Sequence, residues 1–303
     1  MEVETNEYDV IIIGGSYAGL SAALVLGRAL CTVLVLDNGQ PANRQTPHSH
    51  SFLTRDGETP AELTRIARQQ ALAYPTVTIR EATATTARQS GSSFLIKTDA
   101  DEEFTARRLL LATGLTDVMP DLPGFAECWG ISVLHCPFCH GYEVKDQTVG
   151  VLANGDAGFE LTRMIHHWNP GMTLFTNGPS TLTPEQTATL QKHAIPIVET
   201  PLTALQHQNG QLISVQFADH SVVPLQAMYA RQPLRQASDL AEQVGCQLDE
   251  MGFVTVDGFG RTSVKGVFAA GDTHTMMRQV SVAATNGLKA AVAISKEVIE
   301  EEF

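Results

Sequence analysis

The fold of this chain is decided near its start, by the stretch Tyr8-Asp9-Val10-Ile11-Ile12-Ile13-Gly14-Gly15-Ser16-Tyr17-Ala18-Gly19. The apolar, β-branched run 8–13 predicts a buried strand of a parallel sheet. A helical stretch over 20–29 follows the glycine-rich turn, and the run 32–36 predicts a second strand that leads into Asp37. This order of strand, glycine turn, helix, strand and acid is typical of a dinucleotide-binding βαβ unit.

The residues of this turn have separate expected roles. Gly14 suits the tight turn, Gly19 suits close contact between helix and strand, and the helix N-terminus receives a pyrophosphate. Asp37 lies at the usual distance to bond ribose hydroxyls. Ser16 replaces the middle glycine of the pattern, and serine is the smallest replacement. A purely structural βα turn is the alternative, but the strands and the acid favour nucleotide binding.

Composition excludes several classes of protein. The chain has 303 residues, of which 43% are hydrophobic and 17% charged, as expected for a folded globular enzyme of one to three domains. No signal peptide or membrane-spanning run is recognisable, so a cytoplasmic location without membrane association is expected. Five cysteines do not suggest a secreted disulfide framework. The net charge of -13 argues against nucleic acid as a partner.

Two later segments could complete the first nucleotide-binding unit. A strand within 262–272 runs into Gly271-Asp272, and Arg278-Gln279-Val280 precedes a helix from Ser281. Another strand, within 109–114, ends in Ala112-Thr113-Gly114. Taken singly, Asp272 could be a helix cap and Arg278 a solvent-exposed charge. Taken as an ordered set, these segments favour one domain built from both ends of the chain.

The motif Cys136-Pro137-Phe138-Cys139 lies between two glycine-rich signals. The spacing puts two sulfurs one helical turn apart, which suits a reversible disulfide, and a helix N-terminus favours thiolate at the first sulfur. Zinc is the main alternative, with Cys128, His135 and His140 as further ligands. No second pair with zinc-ligand spacing follows, so redox chemistry is favoured.

From Tyr8 to about Ile299, these segments resemble the thioredoxin reductase branch of the flavoprotein disulfide reductases. The resemblance implies an α/β fold with two Rossmann-like dinucleotide-binding domains, the second inserted into the first. The FAD-binding domain would comprise residues 1–116 and 246–303. Residues 117–245 would form an NADPH-binding-like domain that carries the cysteine pair. A homodimer is also implied, with a thioredoxin-like protein or a small-molecule disulfide or dithiol as partner.

The resemblance also assigns roles to individual residues. Asp272 would bond the FAD ribityl chain, Gln279 and Val280 would contact the flavin ring, and Cys136 would meet the outside disulfide. Cys139 would lie nearer the flavin. The loop after the first unit runs near the flavin, so His50 would touch FAD, although a solvent-exposed loop histidine fits equally well. The expected FAD-binding set is Gly14, Gly15, Ser16, Tyr17, Ala18, Gly19, Asp37, Asn38, Gly39, Gln40, Asn43, His50, Ala112, Thr113, Gly114, Gly271, Asp272, Arg278, Gln279 and Val280.

The second domain repeats the order of the first, with strands over 149–153 and 172–175 and a helix over 159–167. Its turn begins with Ala153 instead of glycine. Asn177-Gly178 stands where the family has a basic cluster for the NADPH 2′-phosphate, and no Arg or Lys occurs between Trp168 and Gln191. A 2′-phosphate needs a cation or strong donors. NADPH is therefore doubtful as the electron donor, and another donor such as ferredoxin is an alternative.

His140 follows the cysteine motif where bacterial thioredoxin reductases place an aspartate. This variant resembles a subgroup of fungal and actinobacterial dithiol oxidases and of reductases with altered electron donors. His140 could move a proton near neutral pH or only cap a helix. Three functions stay open: a disulfide reductase, a dithiol oxidase that uses O2, and a non-enzymatic flavin redox sensor or binding module. Arg231 and Arg235 could meet a substrate or form an exposed charge pair, and the tail that ends in Phe303 is expected to fray.

Overall fold

The computed structural model describes residues 6–303, which form two compact units. Among the described residues, the first unit comprises 6–44, Phe52–Thr116 and Leu234–Phe303, and the second comprises Gln45–Ser51 and Asp117–Pro233. Residues 1–5 of the expected first segment lie outside the described residues. The first unit resumes at Leu234 rather than at the expected residue 246, because the strand Leu234–Gln236 pairs with the strand Leu115–Asp117.

The first unit is a layered α/β structure around one large sheet. Its elements are β1 (Glu7–Ile13), α1 (Tyr17–Arg28), β2 (Val33–Asp37), α2 (Pro60–Ala71), β3 (Val77–Glu81), β4 (Ala84–Ser90), β5 (Ser93–Thr98), β6 (Glu103–Leu111), β7 (Leu115–Asp117), β16 (Leu234–Gln236), α7 (Leu240–Gln243), β17 (Val267–Ala269), a 3-10 turn (Gly271–His274) and α8 (Val280–Glu302). The strand order is β3-β2-β1-β6-β5-β4, and β17 also pairs with β6. The pairs among β1, β2, β3, β6 and β17 are parallel, whereas β4, β5 and β6 form antiparallel pairs.

The parallel strands of this sheet are buried on both faces. Along β1, Val10 and Ile12 pack into one apolar cluster, whereas Ile11 and Ile13 pack into the cluster on the opposite face. Helices α1 and α8 cover the first of these faces. This burial explains why the strand is a continuous apolar run and not an alternating one.

The second unit contains a parallel sheet and a small antiparallel sheet. Its elements are α3 (Phe125–Cys128), β8 (Val133–Leu134), α4 (Pro137–His140), β9 (Val149–Leu152), α5 (Gly155–Ile165), β10 (Thr173–Phe175), α6 (Pro184–Lys192), β11 (Ile197–Val198), β12 (Leu202–Gln208), β13 (Gln211–Phe217), β14 (Val222–Pro224) and β15 (Ala227–Ala230). The parallel sheet has the order β11-β10-β9-β15-β8, and β12-β13-β14 is antiparallel. The expected α/β class with two Rossmann-like domains is confirmed.

The expectation for the C-terminal tail was wrong. Helix α8 continues to Glu302, and only Phe303 follows it. Arg107 on β6 bonds Glu301 at 2.9 Å and Glu302 at 2.8 Å, and the buried Arg108 also bonds Glu301. These ion pairs hold the last helical turn, and the Phe303 side chain is exposed. Among residues 6–303, no helix is long and apolar enough to cross a membrane.

Candidate active site

The first glycine turn provides backbone space that only glycine allows. Gly14 has a φ of +107°, and an added Cβ would lie 2.3 Å from the carbonyl oxygen of Ala112. At Gly19 an added Cβ would lie 1.9 Å from the carbonyl oxygen of Gly14. Ser16 is the N-cap of α1 in extended conformation, but its side chain does not cap the helix. The first N–H groups of α1 are therefore available to a phosphate.

Asp37 lies directly beside this turn, at the carboxyl end of β2. Its carboxylate accepts a hydrogen bond from the N–H of Gly15 at 3.1 Å. The guanidinium of Arg68, on α2, bonds the other carboxylate oxygen at 3.3 Å. Sequence reasoning missed Arg68, because the two residues are distant along the chain and belong to no local motif.

The loop that follows Asp37 begins with a tight turn and then reaches α1. The N–H of Gln40 donates to the side chain of Asn38 at 3.1 Å, and Gly39 has a φ of +68°. The amide of Asn43 donates to the hydroxyl of Tyr17 at 3.3 Å. These residues belong to the same unit as the first glycine turn, as expected for one nucleotide site.

The later segments also meet the first glycine turn. An added Cβ at Gly271 would lie 2.9 Å from the Cβ of Ala18, so the 3-10 turn packs closely on the start of α1. The hydroxyl of Thr273 accepts a hydrogen bond from the N–H of Gly114 at 2.8 Å. Thr273, which sequence reasoning missed, thus joins the Thr113-Gly114 segment to the Gly271-Asp272 segment.

Asp272 and Arg278 form an ion pair, with 3.2 Å between the Arg278 Nε and a carboxylate oxygen of Asp272. Gln279 is the N-cap of α8 and Val280 its first residue. The first unit therefore brings together every expected FAD-binding residue except His50, which belongs to the second unit.

The Cys136–Cys139 pair lies at the start of α4 in the second unit. Cys136 is the N-cap of this short helix, and Pro137 is its first residue. No disulfide bond joins the two sulfurs in this structure. A hydrogen bond with the Cys139 side chain is the main cause that lowers the pKa of Cys136 to about 7, and burial acts against it by raising this pKa. The backbone N–H groups nearby and the positive charge of Arg231 lower it further.

Two histidines and a carboxylate lie close to the pair. Burial lowers the pKa of His140, the charge of Glu143 partly opposes this, and His50 adds to the lowering. Glu143 itself bonds the Nε2 of His50 at 3.4 Å. His140 is therefore neutral at pH 7 and can accept a proton.

The residues considered as zinc ligands do not form one cluster. Cys128 is buried in an apolar cluster with Phe125, and the ring of His135 stacks on Trp129 at 5.8 Å. Across residues 6–303, no group of three or more His, Cys, Asp or Glu residues has the geometry of a metal site.

The second glycine turn is hydrogen-bonded to the loop that follows β10. The Asn154 side-chain oxygen accepts hydrogen bonds from the N–H of Gly155 at 2.8 Å and from the N–H of Thr181 at 2.9 Å. Its amide donates to the carbonyl of Pro179 at 2.9 Å. The segment after β10 is thereby tied to the start of α5. This contact also explains why α5 begins at Gly155, earlier than the sequence pattern predicted.

The first turn of α5 also carries a negative charge. Asp156 lies there, and the side chain of Gln186 donates to its carboxylate at 2.8 Å. In the first unit, by contrast, the first turn of α1 has no acidic residue. The two nucleotide-type turns of this chain therefore differ in both access and charge.

The chain combines a Rossmann-like domain that has a dinucleotide-type glycine turn with a second Rossmann-like domain that carries the cysteine pair on a short helix. This combination defines a flavoprotein oxidoreductase with two dinucleotide-binding-type domains. Over residues 8–287 the chain matches the pyridine nucleotide-disulphide oxidoreductase family, to which it belongs. This membership makes it a disulfide oxidoreductase related to thioredoxin reductases, and the family implies FAD as cofactor.

Individual relatives are similar over nearly the full length. Thioredoxin reductase tcpT of Claviceps purpurea is 33% identical over 98% of this chain and 96% of its own. The structure of TrxB from Bacillus anthracis is 34% identical, with a TM-score of 0.94, over 98% of this chain and 100% of that one. An oxidoreductase structure from Agrobacterium tumefaciens is 36% identical, with a TM-score of 0.90, over 97% of this chain and 99% of that one.

Proposed function

We propose that the chain is a thioredoxin reductase-like thiol–disulfide oxidoreductase that exchanges electrons between FAD and a substrate disulfide through Cys136 and Cys139, without efficient use of NADPH. The observation that carries the proposal is the hydrogen-bonded thiol pair, in which the pKa of Cys136 is lowered to about 7. A thiol with this pKa is substantially ionised at neutral pH, and the thiolate is the form that attacks disulfides.

The residues of the first unit fit FAD. At Gly15 an added Cβ would lie 2.6 Å from the carboxyl carbon of Asp37, so glycine is what keeps the backbone free beside that acid. A dinucleotide pyrophosphate would be held at the start of α1, and Asp37 would hold the ribose of the adenosine half. Apart from His50, the set expected from the sequence would form this site. When bound, FAD supplies the two-electron partner of the thiol pair and can pass electrons to O2.

The exchange with substrate follows from the two sulfurs. The Cys136 thiolate attacks one sulfur of the substrate disulfide, a new S–S bond forms, and the other substrate sulfur leaves as a thiolate. The Cys139 thiolate then attacks the Cys136 sulfur, which closes the pair and releases the second substrate thiolate. The substrate gains two electrons and two protons, and the pair loses them. With a substrate dithiol, the same steps run in reverse.

His140 would move protons in these steps. It follows Cys139 directly, and its lowered pKa keeps it neutral and able to accept a thiol proton at pH 7. Glu143 and His50, which contact each other, both lie close enough to influence its charge. His50, which the resemblance assigned to FAD, would act here on the protonation of the thiol site.

The structure of the second turn supports the doubt about NADPH. The Asn154 side chain uses the N–H of Gly155 at the start of α5 and also binds Thr181, and Asp156 would repel a pyrophosphate. Ala153 adds a methyl group where the family has glycine. Another donor, such as ferredoxin, would then reduce the enzyme. The same observation favours a second candidate function, a dithiol oxidase that transfers substrate electrons to O2.

The remaining expectations belong to this proposal. The chain would be a member of the subgroup with the Cys-Pro-Phe-Cys-His motif. Its first unit would bind FAD, and its second unit would have the fold of an NADPH-binding domain without efficient use of NADPH. It would act as a cytoplasmic homodimer on a thioredoxin-like protein or on a small-molecule disulfide or dithiol.

Serine variants of the pair test the proposal. Cys136→Ser and Cys139→Ser should each bind FAD as the wild type does, measured as FAD released on denaturation, but should lose turnover with disulfide and dithiol substrates because exchange needs both sulfurs. Cys246→Ser, at a buried cysteine of the first unit, is the matched control and should keep activity. Full activity in both pair variants, or a wild type that cannot bind FAD, would overturn the proposal.

A further inference from the structure

One buried hydroxyl near the thiol pair has no role in the steps above. Tyr229 on β15 is fully buried, with 0% of its surface exposed. Within the described part of the chain, its hydroxyl oxygen has no hydrogen-bond partner. A buried polar group without a partner destabilises a fold, and phenylalanine would fill the same space without that penalty. The hydroxyl therefore calls for an explanation other than packing.

The strand register places Tyr229 beside the segment that carries the thiols. Tyr229 pairs with Leu134, the last residue of β8, and the chain continues from Leu134 to Cys136. Because β8 and β15 are parallel, their carboxyl ends lie at the same edge of the sheet. The Tyr229 ring packs in one apolar cluster with Leu134 and Val144, and Val144 follows α4. The ring thus shares an apolar cluster with one residue before and one residue after the thiol helix.

The charges around the hydroxyl favour its role as a donor. Burial raises the pKa of Tyr229, and negative charge on Cys136, Glu143 and Cys139 raises it further. The hydroxyl therefore stays protonated beside the thiolate. The positive charge of Arg231, which follows β15, also acts on Cys136 and lowers its pKa.

We propose that the Tyr229 hydroxyl is a hydrogen-bond donor that stabilises the Cys136 thiolate during disulfide exchange. The proposal rests on the proposed function, because it concerns the sulfur that attacks the substrate. In this role, the buried Tyr229 would stabilise the negative charge that Cys136 carries after each reduction of the pair. The bond would form when the sulfur carries its negative charge, and it would give the buried hydroxyl the partner that it otherwise lacks in the described part of the chain.

Removing the hydroxyl alone tests this role. In Tyr229→Phe the ring and its packing are retained, so the fold should persist, and thermal unfolding checks this. The reduced protein is alkylated with iodoacetamide between about pH 5 and pH 9, and Cys136 is followed by peptide mass spectrometry. We expect the midpoint for Cys136 to rise by about one pH unit in Tyr229→Phe.

Tyr142→Phe is the matched control, because it removes a hydroxyl just after the same helix from a side chain that is 71% exposed. Its midpoint should equal that of the wild type. An unchanged midpoint in Tyr229→Phe, or equal shifts in both variants, would overturn the proposal. The alkylation assay needs no turnover, so a wild type without exchange activity would reject the proposed function while leaving this result readable.

Discussion

At the scale of single residues, Cys136 is distinguished from the buried cysteines by its surroundings. Burial raises the pKa of Cys31, Cys128 and Cys246, whereas the hydrogen bond with Cys139 lowers that of Cys136. Only Cys136 among these four is therefore expected to be substantially a thiolate at neutral pH. Among these four cysteines, reactivity toward electrophiles should therefore be concentrated at Cys136.

The pH dependence of alkylation should reveal this difference. The rate at Cys136 should rise with pH and reach half its maximum at about pH 7, because only the thiolate reacts. Cys139→Ala removes the largest cause of the lowered pKa, so the midpoint should move to higher pH. Cys246 in the same sample is an internal control that should react slowly. A wild-type midpoint near the ordinary thiol value, about 8.5, would contradict the prediction.

Several residues of the site could be predicted because they belong to local patterns. The glycine turn, Asp37 and the cysteine pair each lie within a short motif whose spacing indicates its structure. Arg68 and Thr273 could not be found this way, since each contributes through a contact that only the folded sheet creates. Tyr229 gave no signal either, because a buried strand tyrosine looks like ordinary core in a sequence.

At the scale of elements, the close crossing of α1 and α8 supports the first glycine turn. At Gly287 an added Cβ would lie 2.0 Å from the carbonyl oxygen of Ala18, in the first turn of α1. The hydroxyl of Ser21 also donates to the carbonyl of Ala284 at 2.7 Å. Helix α8 therefore fixes the position of the helix start where the FAD pyrophosphate is expected. The glycine pattern near residue 14 predicts the turn, but nothing in it predicts this support.

Gly287→Ala should therefore affect both stability and cofactor content. The new methyl group would have to push the two helices apart, which should destabilise the protein by roughly 1–3 kcal/mol. The displaced start of α1 should also lower the FAD content of the purified protein. Leu288→Ala, at the next position of α8 and with a half-exposed side chain, is the control and should change neither quantity much. Thermal unfolding and FAD absorbance measure the two effects, and unchanged values in Gly287→Ala would show that the crossing can relax.

At the scale of the whole molecule, the glycine turns of the two Rossmann-like units differ in hydrogen bonding and in charge. At the first turn, the Ser16 side chain does not cap α1, and the first turn of that helix has no acid. The second is tied down by Asn154 and carries Asp156. The sequence indicated this inequality only through Ala153 and the missing cations, since the hydrogen bonds of Asn154 depend on how the loop after β10 folds back.

Reduction by NADPH should accordingly be slow. In an anaerobic stopped-flow experiment with saturating NADPH, we expect the flavin to bleach more slowly than about 10 per second, the scale of ordinary enzyme turnover. Dithionite is the control that shows the flavin itself can be reduced. Bleaching by NADPH at or above that rate would restore an ordinary NADPH-dependent reductase. Slow bleaching, followed by fast reoxidation in O2 after a dithiol is added, would favour the oxidase.

The contact between α1 and α8 has a consequence for how the protein is made. Ser21 and Ala284 are separated by 263 positions in the sequence, and the whole second unit is synthesised between them. During synthesis on the ribosome, one apolar face of the β1–α1 segment therefore stays exposed until α8 emerges. The expected FAD site is then complete only after α8 has been made, so synthesis of that helix would have to precede tight FAD binding.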